Sequence, residues 1–130
     1  MANIYCFRKL SRGCTWPRHW RGASRTADTK LVRDMNVAAL QVTPVHYLFK
    51  PDEQAMVDHF RRMADETGMP IIIYNVVPWS YLSPALLTRI MTEVPLVIGV
   101  KQSAGDLKLF ADLMLMAPDK LIYSAVDALM

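Results

Sequence analysis

The sequence predicts an α/β fold over residues 36–130, in which a parallel β-sheet is covered by helices. Short apolar runs alternate with segments of helical period, in the order strand, helix, strand. The apolar runs are continuous rather than alternating, which is typical of parallel strands buried on both faces. Their ends fall near Thr43, Tyr74, Lys101 and Asp127, so the unit repeats roughly every 26 to 31 residues, the length of a strand-helix unit.

The first predicted strand and helix have clear boundaries. The strand is VAALQVTP, residues 37–44, an apolar run that a Thr-Pro pair stops. The helix lies in KPDEQAMVDHFRRMADETG, where Pro51 and Asp52 open it and Gly68 closes it. Its apolar side chains recur at helical spacing and predict the buried face: Met56, Val57, Phe60 and Met63.

The remaining units follow the same order. PIIIYNV is the second predicted strand, PLVIGVK the third and KLIYSAVD the fourth. Between the second and third strands, Ser83 caps a helix that has Pro84 at its first position. The buried stripe of this helix is predicted to be Leu86, Leu87, Ile90 and Met91. In the last helix, GDLKLFADLMLMAP, the residues predicted to face inward are Leu107, Phe110, Leu113 and either Leu115 or Met116.

Composition restricts the classes of protein to which the chain can belong. With 52% hydrophobic and 21% charged residues in a chain of 130, it has the composition of one ordinary globular domain. Charged residues interrupt every apolar run before the roughly 18 residues that a membrane span requires, and the start has no secretory apolar segment. The globular part has no cysteine and needs no oxidising compartment, so we expect a cytoplasmic protein without a membrane partner.

A basic leader, residues 1–35, differs from the rest. Its first 26 residues hold six basic side chains and no acidic one, whereas the rest of the chain holds 9 basic and 12 acidic side chains. The globular part is therefore mildly acidic, which argues against nucleic acid as its partner. Cys6 and Cys14 do not have zinc-knuckle spacing, and His19 adds only a poor third ligand, so no metal site is predicted.

Three interpretations of the leader remain open, because its pattern has neither a helical nor a strand period. It is a transit-type segment, an arm that meets nucleic acid or an acidic partner, or a segment foreign to the fold, as after a frame error or gene truncation. We prefer the third. The domain division is then a basic leader over residues 1–35 and a globular domain over residues 36–130.

Two residues at strand ends attract attention for their chemistry. An open doubly wound sheet and a (β/α)8 barrel both fit the repeat, and both carry their sites at the carboxyl ends of strands. Lys101 ends an apolar strand, where poor hydration of the ammonium form favours a fraction of free amine that can attack a carbonyl. Tyr74, one strand away, can pass protons. The structural alternatives are a solvated strand end for the lysine and a half-buried core edge for the tyrosine.

Three motifs in order, VTPVHYLFKP, PIIIYNV and VIGVKQSAGDL, resemble the dihydrodipicolinate synthase/N-acetylneuraminate lyase family of class I aldolases. The resemblance implies a (β/α)8 barrel that binds pyruvate or another 2-oxo acid as a Schiff base, with no cofactor. Lys101 matches the imine-forming lysine and Tyr74 the proton-relaying tyrosine. Thr43 matches the strand end that leads into the tyrosine-bearing loop, and Tyr47 is the residue expected to occupy the tyrosine's place, so both are expected to bind substrate.

The chain departs from the family pattern in two loops. The paired tyrosines after Thr-Pro are replaced by Val45 and His46, and His46 is either a proton donor or simply solvated. The second loop lacks the arginine that grips an acidic second substrate and has Trp79 and Tyr81 instead. This change suggests a less acidic or more apolar acceptor, although Trp79 fits an exposed or interface aromatic equally well.

Length is the largest departure. A (β/α)8 barrel takes roughly 250 residues, and this chain has about half of that. We therefore expect a partial barrel of about four βα units, resembling its fourth to seventh strands. The leading functional hypothesis is a carbon–carbon lyase that is active if the missing part is supplied, and family resemblance implies a homo-oligomer. The alternatives are an inactive truncated barrel and a binding module that acts through the Arg-rich leader.

Overall fold

Four parallel strands and three helices alternate along the chain, as the sequence predicts. The computed structural model describes residues 4–8, 19–20, 37–45 and 51–125. The strands in these ranges are β1 (Ile4–Arg8), β2 (His19–Trp20), β3 (Val37–Val42), β4 (Ile71–Asn75), β5 (Val97–Gln102) and β6 (Leu121–Ser124). The helices are α1 (Glu53–Thr67), α2 (Pro84–Glu93) and α3 (Leu107–Met116), with a 3-10 turn at Pro78–Ser80.

One sheet contains all six strands, in the order β2-β1-β3-β4-β5-β6. Strands β3 to β6 are parallel neighbours, so their carboxyl ends meet at one edge. The register between β4 and β5 pairs Tyr74 with Lys101 and Asn75 with Gln102, after a shift between Ile71 and Ile72. This register decides which strand-end residues are neighbours.

The leader contributes two strands that its pattern did not indicate. Ile4–Arg8 runs antiparallel to β3, and His19–Trp20 runs antiparallel to Ile4–Arg8, so the sheet is mixed rather than purely parallel. The physical reason is that the outer edge of β3 presents backbone N–H and C=O groups that any extended segment can pair, whatever its side-chain pattern. Side-chain periodicity therefore carries little information about a strand that is added at such an edge.

Helices α1 and α2 have the caps and buried faces that the sequence predicts. The Asp52 carboxylate accepts a 2.7 Å hydrogen bond from Ala55 N, and α1 ends at Gly68, whose φ of 61° is the left-handed conformation that suits glycine. The Ser83 hydroxyl accepts from Leu86 N at the start of α2. The predicted buried residues of both helices lie in the core, against Ile71, Ile73, Val97 and Val100 of the sheet.

The prediction for the inward face of α3 is confirmed at Leu113 and wrong at Leu107, Leu115 and Met116, of which Met116 is 47% exposed. Leu113 is buried and Phe110 is half-buried, but Leu107 and Leu115 are 62% and 81% exposed. The helix begins at Leu107, and the Asp106 side chain caps it by accepting hydrogen bonds from Lys108 N and Leu109 N. Apolar residues surround nearly the whole helix, so periodicity could not identify the side that packs on the sheet.

Among the described residues, none of the helices is both long enough and apolar enough to cross a membrane.

Candidate functional site

The two predicted catalytic residues lie side by side at the carboxyl ends of β4 and β5. Lys101 Nζ is 4.3 Å from the centroid of the Tyr74 ring, a cation–π contact. Both side chains are half-buried, so each is sheltered and yet accessible to a small molecule. The structure thus brings together the amine and the phenol, although they are separated along the chain by a helix.

Alternation along the strands explains why these two side chains share a face. Successive side chains of a strand point to opposite faces. Ile73 and Val100, which precede Tyr74 and Lys101, are fully buried under the helices. Lys101 and Tyr74 therefore project from the other face of the sheet. On that face Lys101 also has a register partner in the neighbouring strand β6, which is Tyr123.

The predicted substrate-binding residues have different outcomes. Thr43 is 1% exposed directly after β3, at the same edge of the sheet as Tyr74. Tyr47, His46 and Asp127 lie outside the described residues. The prediction that Tyr47 contacts substrate therefore stays a prediction.

A buried pair of amide side chains lies immediately beyond the candidate residues. Asn75 is 0% exposed and Gln102 is 1% exposed. Asn75 Nδ2 donates to Gln102 Oε1 at 3.1 Å and to the carbonyl of Leu82 at 3.1 Å, and Asn75 Oδ1 accepts from Leu82 N at 2.9 Å. Gln102 Oε1 also accepts from Ala104 N at 3.3 Å.

Sequence reasoning placed both amides at strand ends but assigned a role to neither. The available signal was their position, since Asn75 follows Tyr74 and Gln102 follows Lys101 directly in the chain. A polar residue that continues the buried face of an apolar strand requires a partner, because an unsatisfied buried amide costs free energy. Only the register between β4 and β5 identifies the two as each other's partners.

The loop after β4 is tied to both neighbouring strand ends. The Tyr81 hydroxyl donates to the Ser103 carbonyl at 3.3 Å, and the Ser80 hydroxyl donates to the Val45 carbonyl at 2.9 Å. Trp79 is 70% exposed in the same loop. Of the two aromatic residues that replace the expected arginine, Tyr81 is thus half-buried and bonded to the loop after β5, whereas Trp79 presents most of its surface to solvent.

One hydroxyl near the lysine has no hydrogen-bond partner within the described ranges. Ser103 Oγ is buried, two residues after Lys101. Over the same ranges, the structure groups no three His, Cys, Asp or Glu side chains where they could hold a metal ion. The arrangement offers an amine, a phenol and neutral hydrogen-bonding groups, which is chemistry suited to a carbonyl compound.

Comparison with known proteins identifies the family. The model of the dihydrodipicolinate synthetase family matches residues 27–130. A curated relative, 4-hydroxy-tetrahydrodipicolinate synthase of Bacillus subtilis (strain 168), is 34% identical over 116 residues, which cover 83% of this chain and 39% of the relative. The chain thus spans about two-fifths of the length of this relative.

Solved structures support the same assignment. N-acetylneuraminate lyase from Fusobacterium nucleatum matches with a TM-score of 0.66 and 27% identity, over 76% of this chain and 34% of the lyase. The chloride-inhibited dihydrodipicolinate synthase from Acinetobacter baumannii, complexed with pyruvate, matches with a TM-score of 0.64 and 27% identity, over 74% of this chain and 33% of the synthase. The four parallel strands with their helices correspond to part of a TIM barrel. The chain therefore belongs to the dihydrodipicolinate synthetase family, of which it carries a part of the barrel.

Proposed function

We propose that this chain carries the Schiff-base site of a lyase that acts on pyruvate or a related 2-oxo acid. In this proposal Lys101 forms the imine and Tyr74 relays protons. The observation that carries it is the 4.3 Å approach of Lys101 Nζ to the Tyr74 ring at adjacent strand ends, within a chain of this family. The pyruvate complex of the Acinetobacter baumannii relative supports the choice of substrate class.

The chemistry follows from the two functional groups. The uncharged amine of Lys101 forms a bond to the ketone carbon, while the carbonyl electron pair moves to oxygen, which takes a proton from the Tyr74 hydroxyl. The new ammonium nitrogen returns a proton to the Tyr74 phenolate, and transfer of that proton to the hydroxyl lets this oxygen leave as water while the nitrogen lone pair forms a double bond to carbon. The resulting iminium withdraws electrons from the adjacent carbon. The Tyr74 phenolate takes a proton from that carbon to give an enamine. The enamine attacks the carbonyl carbon of an acceptor, whose oxygen takes the proton from Tyr74, and the reverse sequence cleaves the bond.

Neighbouring residues have subordinate roles in the proposal. To Thr43, which is buried directly after β3, we assign a contact with the carboxylate or ketone oxygen of the bound acid, and to Tyr47 a second contact. Trp79 and Tyr81 stand where the family pattern has an arginine, which favours an acceptor with less negative charge. Trp79 is 70% exposed, and we propose that its indole ring contacts such an acceptor.

The complete activity requires the parts of the barrel that this chain does not carry. The B. subtilis relative has more than twice the matched length, and a barrel site collects residues from the ends of several different strands. We therefore propose that Lys101 and Tyr74 supply imine formation, and that turnover with an acceptor depends on the remaining strands.

Reductive trapping tests the proposal directly. The chain is incubated with pyruvate and sodium borohydride, and the reduced adduct is located by peptide mass. An adduct confined to Lys101 supports the proposal, because borohydride captures only an imine that has formed. Lys120, whose Nζ donates to the Val97 carbonyl at the opposite end of β5, is the internal control.

Two variants sharpen this measurement. Lys101→Arg removes the nucleophile and retains the positive charge, so the adduct should disappear, whereas Lys120→Arg should leave it unchanged. Absence of any adduct from the folded wild-type chain, or equal labelling of Lys101 and Lys120, would instead indicate a truncated barrel without an assembled site.

A further inference from the structure

We infer that Asn75 and Gln102 are positioning residues that hold Lys101 against Tyr74, so that this part of the barrel keeps its reactive pair in register. The inference rests on the proposed function, because it assigns a purpose to the geometry of the same site. Neither amide touches the candidate reacting atoms. Both act through the backbone on the opposite face of the sheet.

Asn75 fixes the loop after β4 to the strand end. Its side chain accepts from the backbone N–H of Leu82 at 2.9 Å and donates to the carbonyl of Leu82 at 3.1 Å. Both backbone groups of one loop residue are thus satisfied by one amide, which closes the loop of residues 76–82 back onto the residue that follows Tyr74. The two bonds also fix which atom of the Asn75 amide is oxygen and which is nitrogen.

Gln102 fixes the turn after β5 to the end of that strand. Its Oε1 accepts from Asn75 Nδ2 at 3.1 Å and from Ala104 N at 3.3 Å, so one oxygen links the two strand ends and the following turn. The backbone around Gln102 is held on both sides, since Ser103 N donates to the Asn75 carbonyl and Ala125 N donates to the Gln102 carbonyl. Lys101 immediately precedes this fixed segment.

The position of the pair explains how it controls the reactive residues. Tyr74 and Lys101 are register partners, and Asn75 and Gln102 are the next pair along the same two strands. The amides are buried on the helix-covered face, whereas the phenol and amine are half-buried on the other. A shift of either strand end that breaks the hydrogen bond between the Asn75 and Gln102 side chains must also move the backbone of Tyr74 or Lys101.

Burial makes the hydrogen-bonded link between the Asn75 and Gln102 side chains rigid. If either amide is removed, backbone N–H groups that have no access to water lose their acceptors, and the loops must rearrange to recover one. The exposed ion pairs elsewhere in the described chain, such as Lys108 with Asp112, carry no such penalty because water can replace the partner. We therefore expect geometry at the site to depend on these two amides more than on any surface contact.

The first experiment measures geometry without substrate. Lysine labelled with carbon-13 at the ε-position gives one NMR signal for each lysine, and a Lys101→Arg variant assigns that of Lys101. The Tyr74 ring current should shift this signal away from the signals of the other lysines in the wild type. In Asn75→Asp, which keeps an acceptor for Leu82 N but cannot donate, and in Gln102→Met, the displacement should be lost.

The second experiment measures reactivity. In the same two variants the rate of borohydride-trapped pyruvate addition at Lys101 should fall by about tenfold to a hundredfold, because misplacement of a reacting group by roughly 1 Å has effects of this size. Gln102→Glu retains the oxygen that accepts from Asn75 and Ala104, so it should retain the displaced signal and most of the rate.

A control separates positioning from general loss of stability. Ile90→Val removes a methyl group from a fully buried residue of α2 and destabilises the fold without touching the amides. Since the NMR signal is read from the folded molecules, lower stability alone leaves its position unchanged, and Ile90→Val should match the wild type.

The outcomes distinguish the two proposals. A Lys101 signal and trapping rate that stay at wild-type values in folded Asn75→Asp and Gln102→Met overturn the positioning role and leave the proposed function intact. A wild-type chain that shows the displaced signal but traps no pyruvate contradicts the proposed function, while the variants still test the positioning role. A wild-type signal without displacement overturns the positioning role at once.

Discussion

Gly99 lies in β5, two residues before Lys101, and allows β5 and β6 to pair closely. It faces Leu121 across the two strands, and a Cβ at this position would lie 2.7 Å from the Leu121 Cβ and closer still to the Leu121 carbonyl oxygen. A backbone oxygen cannot move aside as a side chain can. Glycine is therefore required at this position for contact rather than for backbone freedom.

Gly99→Ala should reduce the free energy of unfolding by about 1–3 kcal/mol, the usual cost of inserting a group into a filled space. Urea unfolding followed by circular dichroism gives this value. Gly105→Ala is the matched control, since a Cβ at Gly105 meets nothing within 4 Å, and it should change stability by no more than about 0.5 kcal/mol. Equal effects of the two substitutions would contradict the close β5–β6 contact.

Tyr74→Phe tests the phenol separately from the ring. The ring face above which Lys101 Nζ lies is retained, so the fold and the cation–π contact should persist. The proton donor is lost, and the rate of pyruvate trapping should fall by about a hundredfold or more, the usual contribution of general acid–base catalysis. A time course of adduct formation measures the rate, and an unchanged rate would exclude Tyr74 as the relay.

At the scale of helices and strands, the sequence predicted an element well wherever local chemistry defined it. Helices α1 and α2 have capping side chains at their first turns and a single apolar stripe, and both were predicted with the correct buried residues. Helix α3 is apolar nearly all round, so its packing side depends on the strands beneath it. Strand β1 pairs through backbone groups that leave no mark on the side-chain pattern.

The candidate site likewise has one part that the sequence could predict and one part that it could not. Lys101 and Tyr74 could be predicted as neighbours, because parallel strands bring their carboxyl ends to one edge. The amide pair of Asn75 and Gln102 could not, since it depends on a register that shifts by one residue between Ile71 and Ile72. Periodicity gives the face of each residue but not its partner across the sheet.

Ion pairs also join helices α1 and α2. Glu93 accepts from Arg89 Nε at 2.6 Å and from Arg61 at 2.8 Å, which links the end of α2 to α1. The hydrogen bond from Arg89 is the main cause that holds the pKa of the Glu93 carboxyl below its ordinary value, and Arg61 adds to it. Such a carboxylate stabilises the fold above its unfolded pKa, and the contribution is lost as the pH falls through the lowered folded value.

Glu93→Gln should therefore lower stability near neutral pH and have a smaller effect in acid, where the wild-type carboxyl is protonated. The difference in free energy of unfolding between wild type and variant, measured at about pH 7 and about pH 3, gives this dependence. High salt should shrink the difference, because the side chains are partly exposed to solvent. A difference that is constant between the two pH values would contradict the assigned role of the charge.

At the scale of the whole molecule, one border of the sheet presents an apolar surface. The exposed large apolar residues of α3 and β6 are Leu107, Met114, Leu115, Met116, Leu121 and Tyr123. Strand β6 is the last strand of the sheet on that side among the described residues. Exposed apolar side chains beside the last strand of a sheet are typical of a surface that another polypeptide covers.

We expect the isolated chain to self-associate through this border. Sedimentation velocity should show a mass that rises with concentration, and Leu115→Lys, at a residue 81% exposed, should reduce association without loss of folding. Arg62→Lys, an exposed change on α1, is the control and should behave as the wild type. A wild-type chain that is monomeric at every concentration would contradict this expectation.

On the opposite side of the sheet, the outer edge of β3 is occupied by β1, which runs antiparallel along it. A barrel is completed by a strand that uses the same row of backbone groups on β3, since each strand of a closed ring pairs on both sides. Any segment that completes the ring must therefore exchange with β1, and its association would be preceded by a unimolecular opening step. The observed rate of assembly should then level off as the completing segment is added in excess, with a plateau set by how often the Ile4–Arg8 strand detaches.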